Sequence, residues 1–522
     1  SATDAAIGTH DAATNPAARP TPTNRQRHPV RGSAPHRQTG AQAAYLRRAA
    51  YPVGVTAADR VVVPSREDPV ARSASVVAGG PLGRYAVPLA RGWRRLAAGL
   101  VAASCVPMAA SVALRGYCID AGWNSPDQFF HMCYSDLPAT FGDQNLGAGL
   151  GAFLAGGVGA PTPVQPPLTA LLLAFTGGLV PDGSAQARAR FYFGIWAVLI
   201  ALLLAVTVWF TAAAVRRMPM RAAHVALSPV VALTAVVSPD LLGVALASGA
   251  LWAWSRSRPV ISGVLFGLAI SARSYPVLLL VAIALVAVRA GRGRTVLPVA
   301  GAAIVTFAAV VALVALGNPG GAMRAYSTWV GAEAGFGSPW VLGQLARPDS
   351  AQSMGFSLPE PLSPSALTLL AAAGWLVAIL VGAWLAWSGE RRPGVAEVSL
   401  VMVAIVLVTG KSFPVQASIW LVPLVALVGI QWRDHLIWSG AEALHFGAVW
   451  LYLAGSSVAD RGLPSGWYLL LLLVRLLAIG WLVVQVWWQA RDRMPHVVSP
   501  RETDPLAGPL RDAPDALIVR VG

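Results

Sequence analysis

The amino-acid sequence predicts an all-α polytopic membrane protein, a bundle of about twelve transmembrane helices with little mass outside the bilayer. Three observations lead there. Of 522 residues, 55% are hydrophobic and 12% charged, where a soluble domain carries about 25% charged residues, and the mean hydropathy is +0.58. Apolar spans recur at 96–114, 191–215, 222–238, 240–255, 259–272, 275–288, 295–316, 366–387, 395–409, 416–431, 436–454 and 466–488. Arginine clusters fill every second gap between them: Arg91/Arg94/Arg95, Arg216/Arg217/Arg221, Arg256/Arg258, Arg289/Arg292/Arg294, Arg391/Arg392, Arg433 and Arg491/Arg493. Positive charge collects on the cytoplasmic side of a membrane protein. The alternation therefore assigns both tails to the cytoplasm of a multi-pass plasma-membrane protein, and the remaining gaps to the outer side.

Taken in chain order, residues 1–90 lack sustained periodicity and read as a disordered basic cytoplasmic tail. Residues 91–490 hold the membrane domain, and 491–522, with five prolines, read as a similar short cytoplasmic tail. The formal net charge of +15 invites a nucleic-acid partner. No basic-aromatic patch or nucleic-acid motif accompanies it, and arginines capping apolar spans meet anionic membrane lipids more simply. Several spans fall short of the roughly 20 residues a full crossing needs; the short ones adjoin Pro239, Pro276 and Pro414. Such interruptions are tolerated where they line an enclosed cavity, so 238–240, 272–276 and 410–416 are expected to dip below the outer surface. Segment 163–180 would invert every later loop if it crossed fully, so it is read as a re-entrant or surface-lying helix. The loops 115–163 and 317–365 are long, and long ordered loops commonly carry function.

The chemically capable residues lie in the outer gaps. In CIDAGWNSPDQFFHMCYSDLP, Cys118 to Pro138, Asp136 follows Ser135 near the return to the membrane. A partly dehydrated acid at that depth can accept a proton from a hydroxyl; the plain alternative is a loop carboxylate bonded to backbone amides. Cys118 and Cys133 are either two free thiols or a disulfide, which the oxidising side permits. A bridge would close a loop of about 15 residues and contribute roughly 3 kcal/mol. In GKSFPVQASIWLVP, Gly410 to Pro423, Lys411 stands between apolar helices at a cost of roughly 2.5–3.5 kcal/mol. It needs an anion such as a lipid phosphate, or it snorkels to the interface; Gln416 adds donors a turn later. Arg273-Ser274-Tyr275-Pro276 puts a second cation at a broken helix junction, and Ser238-Pro239-Asp240 an acid, with Asp240 equally placed to cap the helix from 241. Glu333 and Arg461 complete the outer polar set, with solvated loop charges as the plain reading. No Cys/His metal spacing and no Asp-x-Asp pair in the outer loops calls for a metal or another cofactor.

Three runs together resemble the polyprenyl-phosphate-sugar-dependent membrane glycosyltransferases of the GT-C fold, closest to glycosyltransferase family 87: CYSDLP at 133–138, the block SPDLLGVALASGALWAWSRSRPVISGVLFGLAISARSYPVLLL at 238–280, and GKSFPVQASIWLVP. That family includes actinobacterial mannosyltransferases that extend phosphatidylinositol mannosides. Glu442-Ala443-Leu444-His445 and Asp460 to Pro464 look like those of a mycobacterial and streptomycete branch. The resemblance implies a GT-C-like bundle and inverting transfer of a sugar, mannose first and arabinofuranose next, from a polyprenyl-phosphate donor to a hydroxyl of a lipid or envelope-glycan acceptor. Asp136 matches the family's first-loop acid, taken as catalytic base. Lys411 matches the lysine expected near the donor phosphate, with Arg273 and Gln416 as further phosphate ligands. This chain departs from the pattern: Pro414-Val415 replace Ser-Pro, Arg273 stands where relatives have Lys, and Val164-Gln165-Pro166 replaces Glu-Tyr-Pro. A transporter or flippase of lipid-linked sugars is the rival class; transporters commonly carry internal repeats, and none is evident here.

Overall fold

The computed structural model describes residues 92–345, 362–458, 461–491 and 504–519, and the regular structure within them is helical throughout. The expected basic tail 1–90, the part of the 317–365 loop from 346 to 361, and Asp460 lie outside the described residues. The principal helices are α1 (Trp93–Ala113), α2 (Asp136–Asp143), α3 (Pro167–Gly177), α4 (Ala185–Ala214), α5 (Leu241–Ser255), α6 (Pro259–Ala272), α7 (Pro276–Arg289) and α8 (Gly293–Ala315). They are followed by α9 (Pro319–Gly331), α10 (Pro364–Ser388), α11 (Val395–Thr409), α12 (Val422–Val428), α13 (Trp432–Ser457) and α14 (Ser465–Ala490). A 3-10 turn, Val415–Trp420, precedes α12. Local chemistry sets many of the starts. Proline stands at the head of α6, α7, α9 and α10, where its missing N–H has no helical partner to lose. Ser184 and Ser363 cap α4 and α10 by accepting the N–H groups of Ala187 and Ala366.

Among the described residues, five helices are long and apolar enough to cross a membrane: α1, α4, α8, α10 and α14. The twelve expected spans therefore resolve into five of full length and a set of shorter apolar helices. A 15-residue helix such as α5 rises about 22 Å, against a hydrocarbon core of about 30 Å. Span 222–238 divides further, into Ala223–Ala226 and Pro229–Thr234. Helix α13 is 26 residues long but carries Glu442 and His445 in its interior and is not among the five. The 163–180 segment forms only the 11 residues of α3, about 16 Å by helical rise and too short to cross alone. Thr169 ties it to the end of α6 by donating to Ala272 O at 3.0 Å.

Helices α6 and α8 meet backbone to backbone. A Cβ on Gly267 would stand 2.6 Å from both Ala303 O and Thr306 Cβ, and one on Gly263 2.6 Å from Ala302 Cβ. Small residues four apart allow such close approach within a membrane. Gly267→Leu is expected to destabilise the bundle by about 1–3 kcal/mol, seen as a lowered unfolding midpoint in detergent. An unchanged midpoint would mean that the two helices part without penalty.

Helix direction separates the polar groups into two ends. Helix α5 runs from Asp240 to Arg256, α6 returns from Arg258 to Arg273, and α7 runs from Tyr275 to Arg289. Helix α11 likewise starts beyond Arg391 and Arg392 and ends before Lys411. The arginine end is closed by the segment 504–519, which the sequence reading left as a solvated tail. There Asp515 meets Arg289 at 2.9 Å and Arg392 at 3.2 Å, and Val395 N donates to Asp504 Oδ2 at 3.0 Å. Leu506 and Leu510 are buried beside them. Prolines argue for disorder, but a carboxylate shared by two arginines (Asp515), another that accepts the first N–H of α11 (Asp504) and two buried leucines give this segment enough to dock.

Candidate functional site

Asp136 is placed by its backbone before its side chain is considered. Ser135, extended at φ −146°, accepts the N–H of Leu137 and starts α2, while its hydroxyl donates to Val236 O at 2.7 Å. Asp136 N donates to Val237 O at 2.8 Å. Leu137 and Phe141 anchor α2 in the core, and Cys118 is bridged to Cys133 three residues upstream, with a Cα–Cα separation of 5.8 Å. Cys118→Ser is expected to lower stability by roughly 3 kcal/mol under oxidising conditions and to leave reduced protein unchanged. Equal melting of variant and parent in both conditions would show that the loop needs no bridge.

The carboxylate of Asp136 receives the Tyr134 hydroxyl and, at 3.3 Å, Nε2 of Gln416, which lies 280 residues later. Burial pushes its pKa up to about 6; the Tyr134 hydrogen bond opposes the rise, the Asp240 charge adds to it and Arg273 holds it back. The same contact and burial push the Tyr134 hydroxyl well above its ordinary value. The partly exposed Asp136 side chain thus sits in a protein-dominated environment, with a pKa suited to a general base near neutrality.

Beside it stands an ion pair. Arg273 occupies the extended link between α6 and α7, at φ −153° and ψ 150°. Its Nε donates to Asp240 Oδ1 at 2.9 Å, Nη2 pairs with the same oxygen, and Nη1 donates to Gln165 Oε1. Asp240 does not cap α5 through its side chain. Its oxygens accept from Ser238 Oγ at 2.8 Å and from Trp420 Nε1 at 2.7 Å, besides Arg273. Tyr275, 2% exposed, stacks on the Trp420 ring at 4.8 Å and 12°. The structure therefore draws Ser135, Asp136, Asp240, Arg273, Tyr275 and Gln416 into one neighbourhood.

Lys411 is directed elsewhere. The residue is 1% exposed, and its ammonium donates to the carbonyls of Trp329 (3.1 Å), Val330 (2.8 Å), Ala332 (3.1 Å) and Pro364 (3.0 Å). Three of these carbonyls lie around the end of α9, where a cation suits the helix dipole, and the fourth heads α10. Three protons serving four acceptors leave it no free donor for a phosphate. Glu333 is exposed on the connection after α9, and Arg461 is exposed with its guanidinium 5.6 Å from the Phe130 ring; neither joins the group around Asp136.

Sequence reasoning passed over Tyr134, Gln165 and Trp420 as contact residues. Trp420 lies in the same short 3-10 turn as Gln416, which brings both to the site. Among the described residues no group of three or more His, Cys, Asp or Glu side chains is arranged to hold a metal ion.

The helical bundle thus gathers a carboxylate of raised pKa and a guanidinium at one end of its short helices. Residues 164–410, just under half of the chain, match the sequence model of Glycosyltransferase family 87, a match that supports reading the protein as a membrane glycosyltransferase. The match includes Gln165, Asp240, Arg273 and Tyr275 and stops just short of Lys411, while Asp136, Gln416 and Trp420 fall outside it. No curated protein matches the chain.

Proposed function

We propose that this glycosyltransferase moves a sugar, mannose by the family resemblance, from a polyprenyl-phosphate donor to a hydroxyl of a lipid or envelope-glycan acceptor at the extracytoplasmic face. The observation that carries the reading is the meeting of Asp136, Gln416 and the Asp240–Arg273 pair, from four distant parts of the chain. Asp136 takes the acceptor proton as the hydroxyl oxygen attacks the anomeric carbon. The bond from that carbon to the phosphate oxygen breaks, and the phosphate leaves with the electron pair. Attack opposite the leaving group inverts the anomeric centre. Arg273 faces the developing phosphate charge, where a fixed cation in a dry site is worth most. We assign Lys411 to framing the loop between α11 and the 3-10 turn rather than to phosphate contact.

Two features favour the outward orientation. The opposite end holds the arginine clusters, which positive-inside bias places in the cytoplasm beside anionic lipids. The Cys118–Cys133 bridge adjoins the site, and disulfides persist in oxidising compartments.

The test uses purified protein in liposomes with labelled polyprenyl-phosphate-mannose and cell-envelope lipid extract. Label is expected in an acceptor lipid or glycan. Label retained on polyprenyl phosphate but moved across the vesicle wall would replace this reading with a transporter. Transfer from a nucleotide sugar instead would overturn the donor assignment.

A further inference from the structure

Arg475 lies within the full-length span α14 and is fully buried; its partner Glu442 on α13 stands 2.9 Å away with its side chain 3% exposed. A charge in a span is costly, and a buried pair seldom stabilises more than apolar residues of the same volume. Arg475 also does far more than neutralise Glu442. Its Nη1 donates to Phe413 O at 2.6 Å, and its Nη2 to Pro414 O at 3.2 Å and to Ser418 Oγ at 3.0 Å. The guanidinium lies 3.5 Å from the Phe413 ring centre. Glu442 is itself fixed through its second oxygen, which accepts from Trp438 Nε1 at 3.1 Å.

The acceptors are clustered for a reason. Pro414 is extended at ψ 160° and follows the break after α11, so the Phe413 carbonyl belongs to neither helix, while Pro414 O also accepts from Ala417 N at 3.1 Å as the turn begins. Within a membrane a carbonyl such as that of Phe413 needs an internal donor. The turn that follows, 415–420, carries both contacts to the site carboxylates, Gln416 to Asp136 and Trp420 to Asp240. Ser418 sits between them.

We propose that Arg475, held by Glu442, is a positioning residue that clamps the 413–418 stretch and so sets the reach of Gln416 and Trp420 to Asp136 and Asp240. The clamp touches no substrate. Its kinetic consequence rests on the transfer reaction proposed above; its structural consequence does not.

The experiment compares the parent with Glu442→Leu/Arg475→Leu, which removes both charges together, and with Ser418→Ala, which removes one clamp bond. Each is made with and without Gln416→Ala. Transfer from labelled polyprenyl-phosphate-mannose to envelope lipid extract is measured in liposomes, with amide hydrogen exchange over residues 410–421. The double variant is expected to lose about 100-fold in kcat, as displacement of a reacting group by an ångström can cost, with KM changed less than about twofold. Exchange over 410–421 should quicken. Gln416→Ala, worth roughly tenfold in the parent, should add less than about twofold in that background, because both changes break one coupled unit. Should the double variant not fold, Ser418→Ala carries the same test, with a several-fold loss that is again not additive with Gln416→Ala. Independent, multiplying effects with unchanged exchange would overturn the clamp. A parent that transfers no label refutes the donor reading alone, and the exchange result then decides the positioning claim: quickened exchange upholds it, unchanged exchange overturns it.

Discussion

Asp136→Asn is expected to lower sugar transfer by about 10²–10⁴-fold, the usual contribution of a positioned general base, while expression and melting stay near those of the parent. Asparagine keeps the size of the side chain and one acceptor oxygen, and the Gln416 amide can turn its own oxygen toward the new NH2, so packing around α2 is retained while proton acceptance is lost. The pH profile gives an independent check. With its pKa pushed up to about 6, Asp136 is protonated below that pH, and kcat/KM should fall tenfold per pH unit on the acid side. Linkage runs the other way for stability. A carboxyl whose folded value is raised from 3.8 to about 6 contributes stability present below 3.8 and lost as pH rises through 6. Acid loss of activity therefore arises without help from Asp136 in unfolding. A profile flat from pH 5 to 8, or full turnover by Asp136→Asn, would remove Asp136 from the base role.

Arg273→Lys is expected to cost about 10²–10³-fold in kcat, comparable to removing one charge-stabilising donor from an active site, although the positive charge is kept. One guanidinium spans Asp240 through Nε and Nη2 and Gln165 through Nη1. An ammonium is a point charge without that fork, so it can neutralise Asp240 or reach toward the phosphate, but not both. Arg273→Gln should be worse, because it leaves Asp240 unpaired beside Asp136 and pushes the acid limb of the pH profile upward. An Arg273→Lys enzyme with parental kcat would mean that the leaving phosphate is stabilised elsewhere, with the Lys411 loop the first place to look.

Much of this arrangement could be read without coordinates, for identifiable reasons. Arginine alternation is a long-range statistical signal, and it became two ends of the bundle because α5, α6 and α7 each carry an outer-set residue at one terminus and an arginine at the other. Asp136, Asp240, Arg273 and Gln416 were visible because each interrupts an apolar stretch at a Pro-marked break. Lys411 satisfies the same criterion, yet its ammonium is directed to backbone carbonyls away from this group. The carbonyls that enclose it belong to residues 329, 330 and 332 around the end of α9 and to Pro364 at the start of α10, a meeting that depends on how those two helices pack. Side-chain identity says nothing of that packing. Arg475 was hidden for the opposite reason: it lies inside a span of suitable length and apolarity, with no break to mark it. The docking of segment 504–519 is not legible from composition, which registers its prolines and not the facing charges of Arg289 and Arg392.

The distance along the chain between Asp136 and Gln416 bears on biogenesis. The first of these residues enters the bilayer region early in synthesis and waits through most of the later insertion events before its partner arrives. Even then, the partner is oriented by an arginine in a still later span. With the site as proposed, a nascent chain halted before α14 lacks the arginine that holds the Gln416 segment, and transfer activity is expected only once the last span is in place.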